Sequence, residues 1–323
     1  MAMTFTAMNK LNLAGLNDVI VLTVGASGEI SDSLTVMNGI ENNTPIVSLT
    51  AKDYALRLSA GCADPYKYDA ISDKVKYYEH SPIHLPLVVC LQDLWGKMVA
   101  KGINLDDNFS ETELAGFIQV QVNEVLDADM LRLAWLDGGD VQKAEGNPHK
   151  AAYNILKHGG FIQQHLDSTE TQGALVLDKA GVLNALRSCI DNQNTKVLAD
   201  SEFFVSTNVM RLYKNLLQDR DNSVAQVTMT DGKPTYFFEG YKITALNHVS
   251  NAAKTDSKYD AFIAFAPKSN QHLAMESGAV SIDPFIRDAQ DRKYYSTTLF
   301  AATAMLVEPS FMQLWLHEAA VGA

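Results

Sequence analysis

The chain has 323 residues, 47% hydrophobic and 20% charged, which is enough apolar material for a sizeable core arranged as one large domain or two to three lobes. With 38 acidic residues against 26 basic ones the formal net charge is −12, which argues against a surface built to grip phosphate backbones. Cys62, Cys90 and Cys189 lie far apart, so neither a disulfide framework nor a zinc knuckle is expected, and no stretch reaches the roughly 18 uncharged apolar residues of a membrane helix.

The opening MAMTFTAMNKLNLAGLNDVIVLTVGASG lacks a charged region followed by a long apolar core, so it does not read as a signal peptide. Its short apolar pieces, Val19 to Val24 and Ile46 to Leu49, are separated by Gly, Ser, Asn and Thr. They predict an extended, thinly packed segment that needs a neighbour to bury it. GCADPYKYDAISDKVKYYEHSPIHLP, rich in Tyr, Asp, Lys and Pro, predicts a projecting loop or hairpin. Leu85 to Cys90 is an apolar run, and LQDLWGKMVAKG predicts a short helix stopped at Gly102.

The clearest element follows. Ser110 and Glu113 have capping-box spacing, and Leu114, Phe117, Ile118, Val122, Val125, Leu126 and Leu133 recur at three and four. The spacing predicts a helix from Glu111 to Trp135, about 37 Å long at 1.5 Å per residue, ended by LDGGD at 136–140. Asp178 to Ile190 predicts an amphipathic helix, Phe203 to Val205 a short buried strand, and Thr207 to Leu217 a second helix. Val224 to Met229, Tyr236 to Phe238 and Tyr241 to Leu246 read as strands around turns. Asp260 to Ala266 (DAFIAFA) has the unbroken apolar character of a strand buried on both faces. Tyr294 to Val307 reads as one long strand or a bent pair.

Val21 to Ser31, VLTVGASGEIS, has the strand, glycine turn and possible helix of a dinucleotide-binding unit, with Ile30, Leu34 and Met37 at helical spacing and Asp53 placed to take ribose hydroxyls. Ser31 stands where the third glycine belongs, so a Gly-Ser turn between extended segments is the competing reading. His80 and His84 are four apart, a spacing that suits a metal only on a helix, and Pro82 and Pro86 disfavour one. His149, His158, His165, His248, His272 and His317 read as solvated surface residues. The acid pairs Asp106 with Asp107 and Asp137 with Asp140 flank the long helix and could serve acid/base chemistry or a hard cation, but Asp106 and Asp107, with Ser110 and Glu111, better suit the positive end of its macrodipole as caps. No catalytic, cofactor-binding or metal-ligating residue is expected.

The order of the pieces carries more than any one motif. VKYYEHSPIHLPLVVCLQDLW followed by the capped helix ending MLRLAWLDGGD resembles the region of tailed-phage major capsid proteins where a strand and short helix lead into a spine helix. FFVSTNVMRLYKNLL and PTYFFEGYKITAL resemble their axial lobe, and ESGAVSIDPFIRDAQDRKYYSTTLFAATAMLVEP their return strand, so the resemblance runs from about Val75 to Pro309. It implies an α+β fold of the Hong Kong 97 type: an N-terminal arm at 1–55, an extended loop at 56–85, a peripheral domain at 86–160 and 281–323 carrying the spine helix, and an axial domain at 161–280.

The implied function is a non-enzymatic major capsid protein that assembles with itself, as pentamers and hexamers, into the icosahedral shell enclosing a phage genome. Its place would be the virion, after synthesis in the host cytoplasm. Portal, scaffolding or decoration proteins are implied partners, with loose contact to packaged DNA and none to membrane. Tyr66, Tyr68, Tyr77 and Tyr78 among charged residues suit a loop that docks on another chain. Asp283, Arg287 and Arg292 belong to a mixed-charge run that either pairs between subunits or is a solvated face. The alternatives are an NAD(P)-dependent oxidoreductase using the Gly25–Gly28 loop and the shell of a cellular encapsulating compartment.

Overall fold

The computed structural model describes residues 21–22, 28–51, 71–90, 111–143, 147–218, 227–230, 233–276, 280–281, 286–287 and 293–319. In the first half the elements are β1 (Val21–Leu22), α1 (Gly28–Ser33), β2 (Thr35–Asn38), β3 (Thr44–Ala51), β4 (Ile71–Tyr78), β5 (Ser81–Cys90), the spine helix α2 (Glu111–Leu136) and α3 (Phe161–Leu166). β6 (Gly173–Ala174), α4 (Lys179–Asn192), β7 (Ser201–Val205), α5 (Thr207–Gln218), β8 (Val227–Thr230), β9 (Lys233–Phe238) and β10 (Tyr241–Ala245) follow. The chain continues through α6 (Asn247–Asp256), β11 (Tyr259–Pro267), β12 (Gln271–Met275), β13 (Val280–Ser281), β14 (Ile286–Arg287), β15 (Lys293–Leu306) and β16 (Gln313–Glu318).

A seven-stranded sheet in the order β6-β16-β11-β7-β10-β9-β8 divides the apolar interior. Successive side chains on a strand face opposite ways, and in β11 Phe262, Ala264 and Ala266 enter one core while Ala261, Ile263 and Phe265 enter the other. β7 repeats the division, with Phe204 on the first side and Phe203 and Val205 on the second. This accounts for the unbroken run DAFIAFA, because a strand with two buried faces has no polar side. Residues of α4 and α5 fill the second core, with Val182, Leu186, Val209 and Tyr213 among them. Asp178 caps α4 by accepting a hydrogen bond from Gly181 N.

The spine helix fills the first core with its C-terminal half. Met130, Leu131, Leu133, Ala134, Trp135 and Leu136 are all buried, the pattern of a helix end enclosed on every side. Trp135 packs edge-on to Phe161 at 5.4 Å, stacks on Phe262 at 5.6 Å and meets Phe204 at 5.8 Å. The expected helix is present; Ser110 and the Glu113 side chain of the proposed capping box lie outside the described residues.

Within LDGGD both acids are engaged by their own chain. Asp137 is fully buried and its carboxylate accepts hydrogen bonds from Leu156 N at 2.7 Å and Ile155 N at 3.3 Å. Burial pushes its carboxyl above the usual range, against the pull of these backbone donors. Gly138 has φ +137°, a conformation that favours glycine, and an added Cβ would collide with the Gln163 side chain. Asp140 instead exchanges hydrogen bonds with Gln163, which also reaches Asp167.

A second, five-stranded sheet runs β14-β15-β12-β2, with β5 paired along β15 from Lys293–Cys90 to Ala302–Ser81. The long strand read at 294–307 is a single strand of 14 residues. β2 lies parallel to β12, and Ile30, Leu34 and Val36 pack into the first core. Ile30 and Leu34 are therefore buried by their own chain, so at 28–38 the apolar side chains do not wait for a neighbour to cover them. α1 stops at Ser33, so Met37 lies on β2 and not on a helix.

The dinucleotide reading fails on topology. β1 pairs antiparallel with β13, whereas a βαβ unit would place it beside a parallel strand after the helix. Gly25 and Asp53 lie outside the described residues. Two histidines also depart from expectation. His165 is fully buried, with Nε2 3.0 Å from Met312 O, and His272 Nδ1 lies 2.6 Å from the Tyr78 hydroxyl. β16 joins the seven-stranded sheet beside β11.

The aromatic cluster at the end of the spine helix is open to a direct test. Trp135→Ala should cost about 3–5 kcal/mol in urea denaturation. Trp135→Phe should cost no more than about 2 kcal/mol, because Nε1 has no hydrogen-bond partner among the described residues and the three neighbouring rings can still be contacted.

Candidate inter-subunit surfaces

β3 and β4 form a separate two-stranded ribbon, paired from Thr44–Tyr78 to Ala51–Ile71. Alternation sorts its side chains onto two unlike faces. On the outer face Pro45 opposes Tyr77 and Val47 opposes Val75. Val47 is 53% exposed, Val75 48% and Tyr77 52%. The inner face carries Ile46 opposite Lys76 and Ser48 opposite Lys74, with Tyr78 only 2% exposed at its base. A two-stranded ribbon is at best marginally stable alone, so an apolar outer face without cover among the described residues calls for a partner.

The foot of the ribbon is tied to the five-stranded sheet. Tyr78 joins Ala274 and Met305 in a small core against Met37, Ile40 and Ile46. Lys74 Nζ donates to Glu308 Oε1 at 3.0 Å and Lys76 Nζ to Leu306 O at 2.8 Å. Asn43 N donates to Tyr78 O at 2.7 Å and His80 N to Asn42 Oδ1 at 3.0 Å. At the corner that follows, Glu79 pairs with Lys157 at 2.8 Å, which holds its carboxyl below the usual range.

A second apolar face lies on β5 and β15. Ile83, Leu85 and Leu87 turn inward to the core that holds Ile118 and Leu126 of the spine helix. Pro82, His84, Pro86 and Val88 turn outward, with Leu299 opposite His84. Val88 and Leu299 are 56% and 69% exposed. The ribbon face and this face are different surfaces, so a contact between them joins two copies head to tail, and contacts of that kind close into rings when the rotation permits.

The contact residues read from sequence fall unevenly on this frame. Tyr77 lies on the exposed face, while Tyr78 points the other way and packs inside its own chain. Adjacent strand residues cannot share a face, so only one of the pair is available to a neighbour. Tyr66, Tyr68, Asp283 and Arg292 lie outside the described residues, and for Arg287 only the backbone pairing with Tyr294 is described. Sequence reading overlooked Val47 and Val75; the alternation in TPIVSLT and ISDKVKYY is the signal that marks them.

Two further titratable side chains, Tyr153 and Cys189, are packed into the interior. Tyr153 donates to Asp256 Oδ2 at 2.8 Å, with the Arg132 guanidinium 4.5 Å from the centre of its ring. Burial and the Asp256 carboxylate push the Tyr153 hydroxyl well up, the opposite of an activated nucleophile. Burial likewise pushes the Cys189 thiol well up. Among the described residues no group of three or more His, Cys, Asp or Glu is placed to hold a metal ion. No helix among them is long and apolar enough to cross a membrane.

No protein-family model matches the sequence, and no curated protein matches it. Solved structures do match in fold. A chain of the satellite phage P4 procapsid, which includes the size determination protein, superposes with a TM-score of 0.54 at 10% identity, covering 98% of this chain and 100% of that one. The capsid of Myoviridae phage XM1 gives 0.52 at 10% identity, covering 98% and 99%. The capsid of an empty GTA particle gives 0.52 at 12% identity, covering 92% and 98%. An encapsulin, SrpI of Synechococcus elongatus PCC 7942, gives 0.50 at 9% identity, covering 90% and 88%. The chain has the α+β fold of phage capsid proteins, a fold it shares with an encapsulin shell.

The two faces of the ribbon separate in a stability measurement. Tyr77→Ser should leave the unfolding free energy within about 0.5 kcal/mol of the parent. Tyr78→Phe should cost about 1–2 kcal/mol, because it removes the hydroxyl beside His272.

Proposed function

We propose that this chain is the major capsid protein of a tailed phage, assembling with itself into pentamers and hexamers of an icosahedral shell around the genome. The observation that carries the reading is the full-length likeness in fold to phage capsid chains. The ribbon supports it, because the exposed Val47, Val75 and Tyr77 need cover. Many weak, repeated contacts suffice to hold a shell, since each contact raises the effective concentration for the next. The protein acts by tiling and not by catalysis, and its place is the virion.

The spine helix and the β5–β15 pair correspond to the peripheral domain, and the seven-stranded sheet with α4 and α5 to the axial domain. The ribbon is the base of the extended loop, docking by its Val47–Val75 face on a neighbour. A net charge of −12 suits a wall that touches packaged DNA sparsely. Portal, scaffolding or decoration proteins would complete the particle. The encapsulin likeness supports one other version, a cellular compartment that encloses protein cargo.

Electron microscopy of the purified chain should show capsomers or closed shells, and nucleic acid inside them favours the virion over the compartment. A protein that stays monomeric or dimeric at high concentration contradicts both. Val75→Glu should leave the subunit's melting temperature within a few degrees, as expected for an exposed site. It should also shift the sedimentation profile from particles to free subunits, because burying an unpaired carboxylate against a neighbour costs far more than the lost methyl groups contribute.

A further inference from the structure

The foot of the ribbon gathers titratable groups that shell-building alone does not require. His80 sits at the corner between β4 and β5, and both its ring nitrogens are buried without a hydrogen-bond partner among the described residues. His272, at the second residue of β12, lies under the ribbon with Nδ1 2.6 Å from the Tyr78 hydroxyl and its ring stacked 6.2 Å from the tyrosine ring. Beside the foot is a cleft of about 890 Å³ lined in part by Lys76, Tyr77, Glu79, Lys157, His158 and Pro309. This cleft leaves room beside the foot for the ribbon to move.

We propose that this foot is a proton-operated hinge: protonation of His80 and His272 below about pH 6.5 releases the ribbon from the five-stranded sheet and lets it swing about the Glu79–His80 corner.

The two rings are neutral when docked. Burial lowers both below the ordinary histidine range; attraction to Glu276 at the end of β12 opposes this for His80, and a backbone hydrogen bond at Ser269 opposes it for His272. A released ring meets water and takes a proton at the ordinary value, so the released state binds more protons than the docked one. Docking is thus fully favoured above about pH 6.5 and weakens as the pH falls from there toward the docked values, by up to about tenfold per pH unit for each ring. Protonation also leaves both ring nitrogens of His272 as donors, Nδ1 facing the Tyr78 hydroxyl among them.

The remaining charges at the foot are Lys74 and Lys76 on the ribbon, Glu308 beneath them, and Glu79, Lys157 and His158 at the corner. His158 lies 3.4 Å from Glu79 and would tighten that contact on taking a proton, which works against release. Glu79 is already paired with Lys157, whose side chain is 60% exposed, so solvent and salt screen that pair. Two rings favour release against this one contact.

The consequence for a particle, an acid-dependent change in how ribbons grip their neighbours, rests on the shell reading. The hinge itself is tested on unassembled full-length chain, so a failure to form particles is a separate result. Amide hydrogen exchange, corrected for its intrinsic pH dependence, is followed at Asn43 to Ser48 and Lys74 to Tyr78, with Ala261 to Phe265 as the core control. Between about pH 6.5 and 5.5 the opening of the ribbon should rise about 5-fold to 30-fold while the core is unchanged. His80→Gln combined with His272→Gln should reduce the rise to less than about twofold. Should that variant fail to protect its core, the histidine Cε1 resonances of the parent chain give the answer, since two docked rings must titrate below a free histidine. Ribbon protection independent of pH, an equal rise in the variant, ribbon and core opening together, or rings that titrate as free histidine would each overturn the hinge.

Discussion

The architecture depends on one sheet being dry on both sides. β7 and β11 carry apolar residues at every position from Phe203 to Val205 and from Ala261 to Ala266, and each core takes alternate residues. Because neither face can be left to water, helices must cover both: α4 and α5 on one side, the end of the spine helix with α6 on the other. Trp135 locks that second side by touching Phe204 and Phe262 of the sheet and Phe161 of α3. From this fixed point the spine helix, about 39 Å long at 1.5 Å per residue, directs its N-terminal half away from the sheet toward β5 and β15.

The part that grows outward from the body is stabilised differently. The ribbon is held by its foot through Tyr78, Lys74 and Lys76, while its outer face and the outer face of β5 and β15 are left apolar. A subunit with a rigid interior and two unlike, uncovered strand faces suits head-to-tail assembly. The same division explains why the foot can serve as a hinge: among the described residues it is where a packed body meets a ribbon buried on one side.

What the sequence made legible followed from local periodicity. The three-and-four spacing along 114–133 predicted the spine helix, the run DAFIAFA predicted a doubly buried strand, and the amphipathic spacing from Asp178 to Ile190 predicted α4. Features fixed by distant residues were not legible. α6, with the sequence NHVSNAAKTD, has only Val249 and three alanine or serine positions to pack, and its N-terminus is satisfied by Glu29, which accepts from Asn247 N at 3.2 Å and His248 N at 3.2 Å across 218 or more positions. His165 and His272 sit among polar neighbours in sequence, yet the fold encloses them. At Tyr77 and Tyr78 the sequence showed two amphipathic aromatics, while strand geometry allows only one to face a partner. β16 was missed although QLWLHE alternates, with Leu314 and Leu316 buried.

The claim at the centre of this account is that the Val47–Val75 face is covered only by another copy of the chain. A single cysteine at Val75, reacted with a water-soluble thiol reagent in free subunits and in assembled particles, measures that cover directly, with Cys62, Cys90 and Cys189 replaced by serine or alanine to remove background. The account predicts ready labelling in free subunits and at least about tenfold slower labelling in particles, as expected for a group taken out of water at an interface. Equal labelling rates in the two states would contradict it.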